Sequence, residues 1–107
     1  MQIAALSTEY VYTDVTSSNT GLSGDPSQGG VAFTFITDLS ASPDDTAIWT
    51  AGLWIANGGP ALWTASVLVG PTGAVTDLVL GTTYAVWVKL TDAPEVPIIK
   101  AGTLTVI

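Results

Sequence analysis

The chain has 107 residues, 48% of them hydrophobic and only 10% charged, with a formal net charge of −7. Lys89 and Lys100 are its only cations, too few to displace counterions from phosphates or to hold an anionic bilayer surface, so neither nucleic acid nor a membrane is expected as a partner. With no His and no Cys, catalytic triads and dyads, thiolate or imidazole zinc sites and disulfides are excluded, and 107 residues leave little room for a second domain.

Gly and Pro punctuate the chain at short intervals and β-branched residues fill the gaps, which reads as many short strands. The first runs from Glu9 to Val15, after an apolar arm over residues 1–7. A Ser/Gly/Asn/Asp-rich loop, Thr16 to Gly30, leads to the second strand, Gly30 to Ile36, with Val31, Phe33 and Phe35 on one face. In the next loop Ser42-Pro43-Asp44-Asp45 reads as one helical turn, with Ser42 as N-cap and the two acids facing the amide dipoles. The third strand is Ala47 to Ile55. Trp49 and Trp54 have opposite parity within it, so a regular strand cannot bury both, and Gly52 between them suggests a bulge.

Asn57-Gly58-Gly59-Pro60 turns the chain into a fourth strand, Ala61 to Val69. Gly70-Pro71-Thr72-Gly73 is a β-turn, followed by a fifth strand at Ala74 to Leu80. Thr83 to Thr91 is the sixth. Asp92-Ala93-Pro94-Glu95 forms a corner, and Ile98 to Val106 is the seventh, with Pro97 at its start where a missing N–H is tolerated. About seven close-spaced strands without helices predict an all-β sandwich of immunoglobulin or fibronectin type III kind, a single domain over 1–107.

Leu78-x-x-Gly81-Thr82-x-Tyr84-x-Val86-x-Val88 has the residue types and spacing of a tyrosine corner. The Tyr84 ring enters the core with its hydroxyl bonded back to backbone, Gly81 allows the sharp turn, and Leu78 packs beneath. Alternation then sends Tyr84, Val86, Val88 and Leu90 inward, and Ala85, Trp87 and Lys89 outward. An outward Trp in mid-strand needs cover, either from the Thr16–Gly30 loop or from a partner subunit. Ala85, Trp87 and Lys89, with Met1 and Ile3 from the apolar arm, are the predicted protein interface.

No catalytic, cofactor or metal residue is assigned. Most of the nine carboxylates lie in predicted loops; Asp44-Asp45 and Asp92/Glu95 are the only candidates for calcium, and neither matches an EF-hand loop. The tryptophans Trp49, Trp54, Trp63 and Trp87 raise a carbohydrate-stacking alternative. Met1 to Leu6 lacks the basic start of a signal peptide and no apolar run approaches the ~20 residues of a membrane helix, so the chain is expected to be used without export.

Three stretches carry a family resemblance: Ser7-Thr8-Glu9-Tyr10-Val11-Tyr12, Leu68-Val69-Gly70-Pro71-Thr72-Gly73, and Tyr84 to Pro97 (YAVWVKLTDAPEVP). Together they resemble small Ig-like structural proteins of tailed bacteriophages that infect actinobacteria. The resemblance implies a virion component assembled in the host bacterial cytoplasm. It would be a capsid decoration protein on the outside of the head, contacting the major capsid protein or other virion proteins and forming a homo-oligomer, with no catalytic or ligand residues. The alternatives are a head–tail connector or tail component, and a carbohydrate- or receptor-binding module.

Overall fold

The computed structural model describes the backbone of residues 1–16, 30–44, 46–59, 62–91, 96 and 98–107, and the side chains of all of these except 15, 16, 56–59, 62 and 63. Residues 17–29 of the predicted Thr16–Gly30 loop, Asp45, Pro60 of the predicted turn, the Asp92–Glu95 corner and Pro97 lie outside the described residues. The strands are β1 (Gln2–Ile3), β2 (Glu9–Thr16), β3 (Gly30–Ile36), β4 (Thr50–Ala51), β5 (Leu53–Gly59), β6 (Leu62–Val69), β7 (Thr83–Thr91) and β8 (Ile98–Val106). They form two sheets, one of five strands in the order β1-β8-β7-β3-β4 and one of three in the order β2-β6-β5. The fold is an all-β sandwich, with no helix among the described residues.

Alternation along each strand fills the space between the sheets. Val31 and Phe33 of β3, Tyr84, Val86, Val88 and Leu90 of β7, and Leu104 and Val106 of β8 meet Val11 of β2 and Ala65, Val67 and Val69 of β6. Phe33 and Val88 are wholly buried. Phe33, Tyr84, Leu90 and Leu104 of the five-stranded sheet supply larger buried side chains, and Ala65, Val67 and Val69 of β6 supply smaller ones.

The predicted third strand divides at Gly52. Thr50–Ala51 pairs with β3 in the larger sheet, whereas Leu53–Gly59 pairs with β6 in the smaller one. The chain crosses between layers at one residue, where Gly52 N–H donates to the Val31 carbonyl at 2.8 Å. A Cβ there would lie 2.7 Å from the Ser66 carbonyl oxygen and 2.8 Å from a Phe33 ring carbon, so only glycine fits the crossing. The crossing also resolves the two tryptophans of opposite parity. Trp54 packs against the core from β5, while Trp49 lies before the crossing with the Lys89 ammonium 4.7 Å above its ring.

The predicted strand at Ala74–Leu80 is absent. The β-turn before it forms as expected, with Gly73 N–H donating to the Gly70 carbonyl at 3.0 Å. Backbone partners explain the missing strand. The amides of Ala74 and Val75 both donate to Leu68 O, and Gly70 N–H donates to Val75 O, so the chain folds back onto the end of β6 rather than entering a ladder. Val75 makes a single bridge with Val69. The predicted helical turn is also replaced. No helix starts at Ser42, and it is Asp44 that caps the local turn, its carboxylate accepting from the Thr46 amide and hydroxyl.

The tyrosine corner is present. Tyr84 is buried, and its hydroxyl accepts a 2.8 Å hydrogen bond from Val79 N–H. The backbone partner is therefore a donor, the Val79 amide. Gly81 takes a φ of +81°, and Leu78 packs against the edge of the core. The N-terminal arm is ordered within the chain itself. β1 runs parallel to β8, with Thr105 N–H donating to Met1 O and Ile107 N–H to Ile3 O, both at 2.9 Å.

Candidate interaction surface

The predicted interface residues do not converge on one open surface. Ile3 is core: the β1–β8 pairing turns it between the sheets. Ala85 has no exposure, because a side chain of one carbon on a central strand is enclosed by its neighbours. Neither offers a surface. Met1 is exposed at the sheet edge, and Trp87 and Lys89 are half-buried.

Trp87 points away from the core, as alternation predicts, but its face is occupied by the chain's own 37–49 connection. Three anchors hold it there. The Thr34 hydroxyl donates to Ile48 O at 2.9 Å, the Lys89 ammonium sits over the Trp49 ring, and Lys100 Nζ donates to Leu39 O at 3.1 Å. Thr34 and Lys100 are the cross-strand partners of Trp87 on either side, so the anchors surround it. Its indole Nε1 is buried without a hydrogen-bond partner. Both lysines are engaged in this cover.

The opposite face of the sandwich is different. On β2, inward Val11 leaves Tyr10, Tyr12 and Asp14 outward. On β6, inward Ala65 and Val67 leave Thr64, Ser66 and Leu68 outward. On β5, inward Trp54 leaves Leu53 and Ile55 outward. The register aligns these into rows: Tyr10 beside Leu68, Tyr12–Ser66–Leu53, and Asp14–Thr64–Ile55. Tyr12 is 55% exposed and Leu53 63%, with Tyr10 and Ile55 also exposed. The two tyrosine rings lie 5.8 Å apart at an interplanar angle of 34°. The centre of the face is polar but closed. Thr64 donates to Asp14 at 2.9 Å, and the Ser66 hydroxyl, between Tyr12 and Leu53 in its row, is buried without a partner among the described residues. Asp14 is its one carboxylate among the described side chains. The Tyr10-Val11-Tyr12 alternation already carried half of this signal; Leu53 and Ile55 joined it only through the crossing at Gly52.

A groove of about 810 Å³ opens where β4 stops short along β3, between the 37–48 connection and residues 74–78. Phe35, Leu78 and Tyr84 form part of its wall, and Asp38, Asp44 and Asp77 line its polar side. Asp38 and Asp44 are held below the ordinary carboxylate range, each mainly by the side-chain hydroxyl it accepts from, Ser40 and Thr46 respectively, and next by the same residue's amide. Those oxygens are committed to local turns. No group of three or more potential metal ligands occurs among the described residues, and of the calcium candidates Asp45, Asp92 and Glu95 lie outside them.

No protein-family model, no curated protein and no solved structure matches the chain.

Proposed function

We propose that this domain is a non-enzymatic structural protein of a tailed-bacteriophage virion, most simply a capsid decoration protein bound to the outside of the head. The observation that carries the contact mechanism is the outer face of the three-stranded sheet, where Tyr10, Tyr12, Leu53 and Ile55 stand exposed. Exposed apolar side chains flanking a closed polar centre suit a surface that meets other proteins, and Tyr is enriched where binding energy concentrates. The assignment to a virion rests on the sequence resemblance. A net charge of −7 suits an outer position away from the packaged genome, and both lysines are engaged in intramolecular contacts.

A carbohydrate-binding module is the other reading, prompted by the exposed tyrosine pair. Against it, three of the four tryptophans are engaged within the chain: Trp54 packs on the core, Trp49 lies under Lys89 and Trp87 is half-buried. A density map of an intact particle tests the proposal. Hundreds of copies on the head support decoration, a dozen or fewer at the neck or tail would move the role to a connector, and absence from the particle with glycan binding by the isolated domain would overturn it.

A further inference from the structure

We infer that β2 is a self-pairing edge: two copies of this chain join antiparallel along Glu9–Thr16, about a two-fold axis, into one continuous six-stranded sheet. The inference rests on the contact mechanism proposed above and names its partner.

The four sheet edges are not alike. β1 and β4 are two residues long, which is how natural sheets blunt an edge. β5 loses register between Ala56 and Gly59, another such device. β2 has none. It pairs with β6 over eight consecutive residues without a register shift, it contains no Pro and no Lys, and no strand pairs with its other side among the described residues. An edge this long and regular is a template for another strand.

The sequence of β2 selects its own copy as that strand. A two-fold axis perpendicular to the sheet keeps each outward side chain on the outward face, so paired positions must have an even sum. The register with Tyr12 opposite Tyr12 of the second copy aligns seven of the eight β2 residues, Glu9 to Val15. It sets Asp14 opposite the Tyr10 of the second copy, a carboxylate beside a phenol donor, and Glu9 opposite Val15. No carboxylate then faces another, which matters for two chains of charge −7 each. The same operation makes the Tyr10/Tyr12 rows of both copies continuous, so a two-fold dimer doubles the apolar face. Strand pairing alone buries less than the ~1,200–2,000 Å² of a stable interface, so the isolated dimer is a weak one, suited to reinforcement by repetition in an assembly.

The absence of cysteine makes the test clean. Residues directly opposite in an antiparallel pair have Cα atoms about 4.5–5.5 Å apart, within disulfide range. Single-cysteine variants Tyr12→Cys, Tyr10→Cys and Leu53→Cys, each checked for folding by thermal melting, are oxidised in the otherwise intact chain. Tyr12→Cys is expected to form a disulfide dimer about tenfold faster than Leu53→Cys at sub-millimolar protein, because pairing holds its thiols at an effective concentration in the millimolar range. Equal rates, or faster dimerisation by Leu53→Cys or Tyr10→Cys, overturn the inference. Sedimentation of the unmodified protein provides the second arm. Mass should rise with concentration and stop at the dimer, and Tyr12→Lys, which opposes two ammonium groups, should abolish the rise. Growth beyond the dimer, or a Tyr12→Lys variant that still dimerises, overturns it. A dimer without virion incorporation would sink the proposed function and leave this inference standing; incorporation without a dimer would do the reverse.

Discussion

The outer faces of the two sheets begin from the same rule and end in opposite states. Each is the outward half of an alternating pattern, and each carries aromatic residues: Trp87 on β7, Tyr10 and Tyr12 on β2. The larger sheet's face is closed by the chain's own 37–49 connection, anchored through Thr34, Lys89 and Lys100. Among the described residues nothing closes the smaller sheet's face, where Tyr12 and Leu53 are more than half exposed. An outward aromatic therefore signals that something covers it, but not whether the cover comes from the same molecule. Here the lysines mark the difference: the only two cations lie on the closed face, where they bind the connection down.

The two sheets part at Gly52, which separates β4 of the larger from β5 of the smaller. Gly52→Ala would drive its Cβ into the Phe33 ring and the Ser66 carbonyl. Such overpacking costs about 3 kcal/mol, read as a fall in the urea midpoint. Stability within error of the parent would show that the crossing has slack.

Next in size is Trp87→Ser. A half-buried indole under the chain's own cover should cost about 2 kcal/mol, below the range for fully buried aromatics. It should leave self-association unchanged, because that face is already closed. Loss of association with unchanged stability would return the interface to Trp87 and reverse the comparison.

Tyr84→Phe removes one hydrogen bond and leaves the Val79 amide unpaired. Val79 is exposed, so water replaces much of the loss, and about 1 kcal/mol is expected by equilibrium unfolding. A loss of about 3 kcal/mol or more would mean that the amide is sealed from solvent.

On the open face, Tyr12→Ser combined with Leu53→Ser should change stability by no more than about 0.5 kcal/mol per site while weakening association. Large destabilisation would show that these side chains serve the fold rather than a partner.

The smallest effect is acidic and belongs to the covering connection. Asp38 and Asp44 have lowered pKa values in the folded chain. Their contribution is thus fully present above the ordinary carboxylate value and lost as pH falls below about 4 through the lowered folded values. Asp44→Asn keeps an acceptor for Thr46 but removes the titration, so the drop in melting temperature between about pH 5 and pH 2 should become shallower. An unchanged slope would remove Asp44 from the acid response.

Much of the architecture was legible in the sequence because it is local. The period of two in Tyr84 to Leu90 fixed which side chains enter the core, the Leu78-Gly81-Tyr84 spacing announced the corner, and Gly70-Pro71-Thr72-Gly73 announced its turn. Each depends on residues within a few positions of one another, where sterics and backbone geometry decide. Tertiary structure decided the rest. Ala74–Leu80 has strand-like composition, yet its amides find partners at the end of β6. Ala47–Ile55 reads as one strand, yet Gly52 sends its halves to different sheets because Phe33 and the Ser66 carbonyl, distant in sequence, leave no room for a side chain. Ile3 sits in an apolar arm that no local pattern marks as strand, and it is core because the far end of the chain supplies its partner strand. Alternation separates inside from outside along one strand; which outside the chain then covers depends on contacts between residues such as Thr34 and Ile48 or Lys100 and Leu39, whose meeting no local pattern encodes.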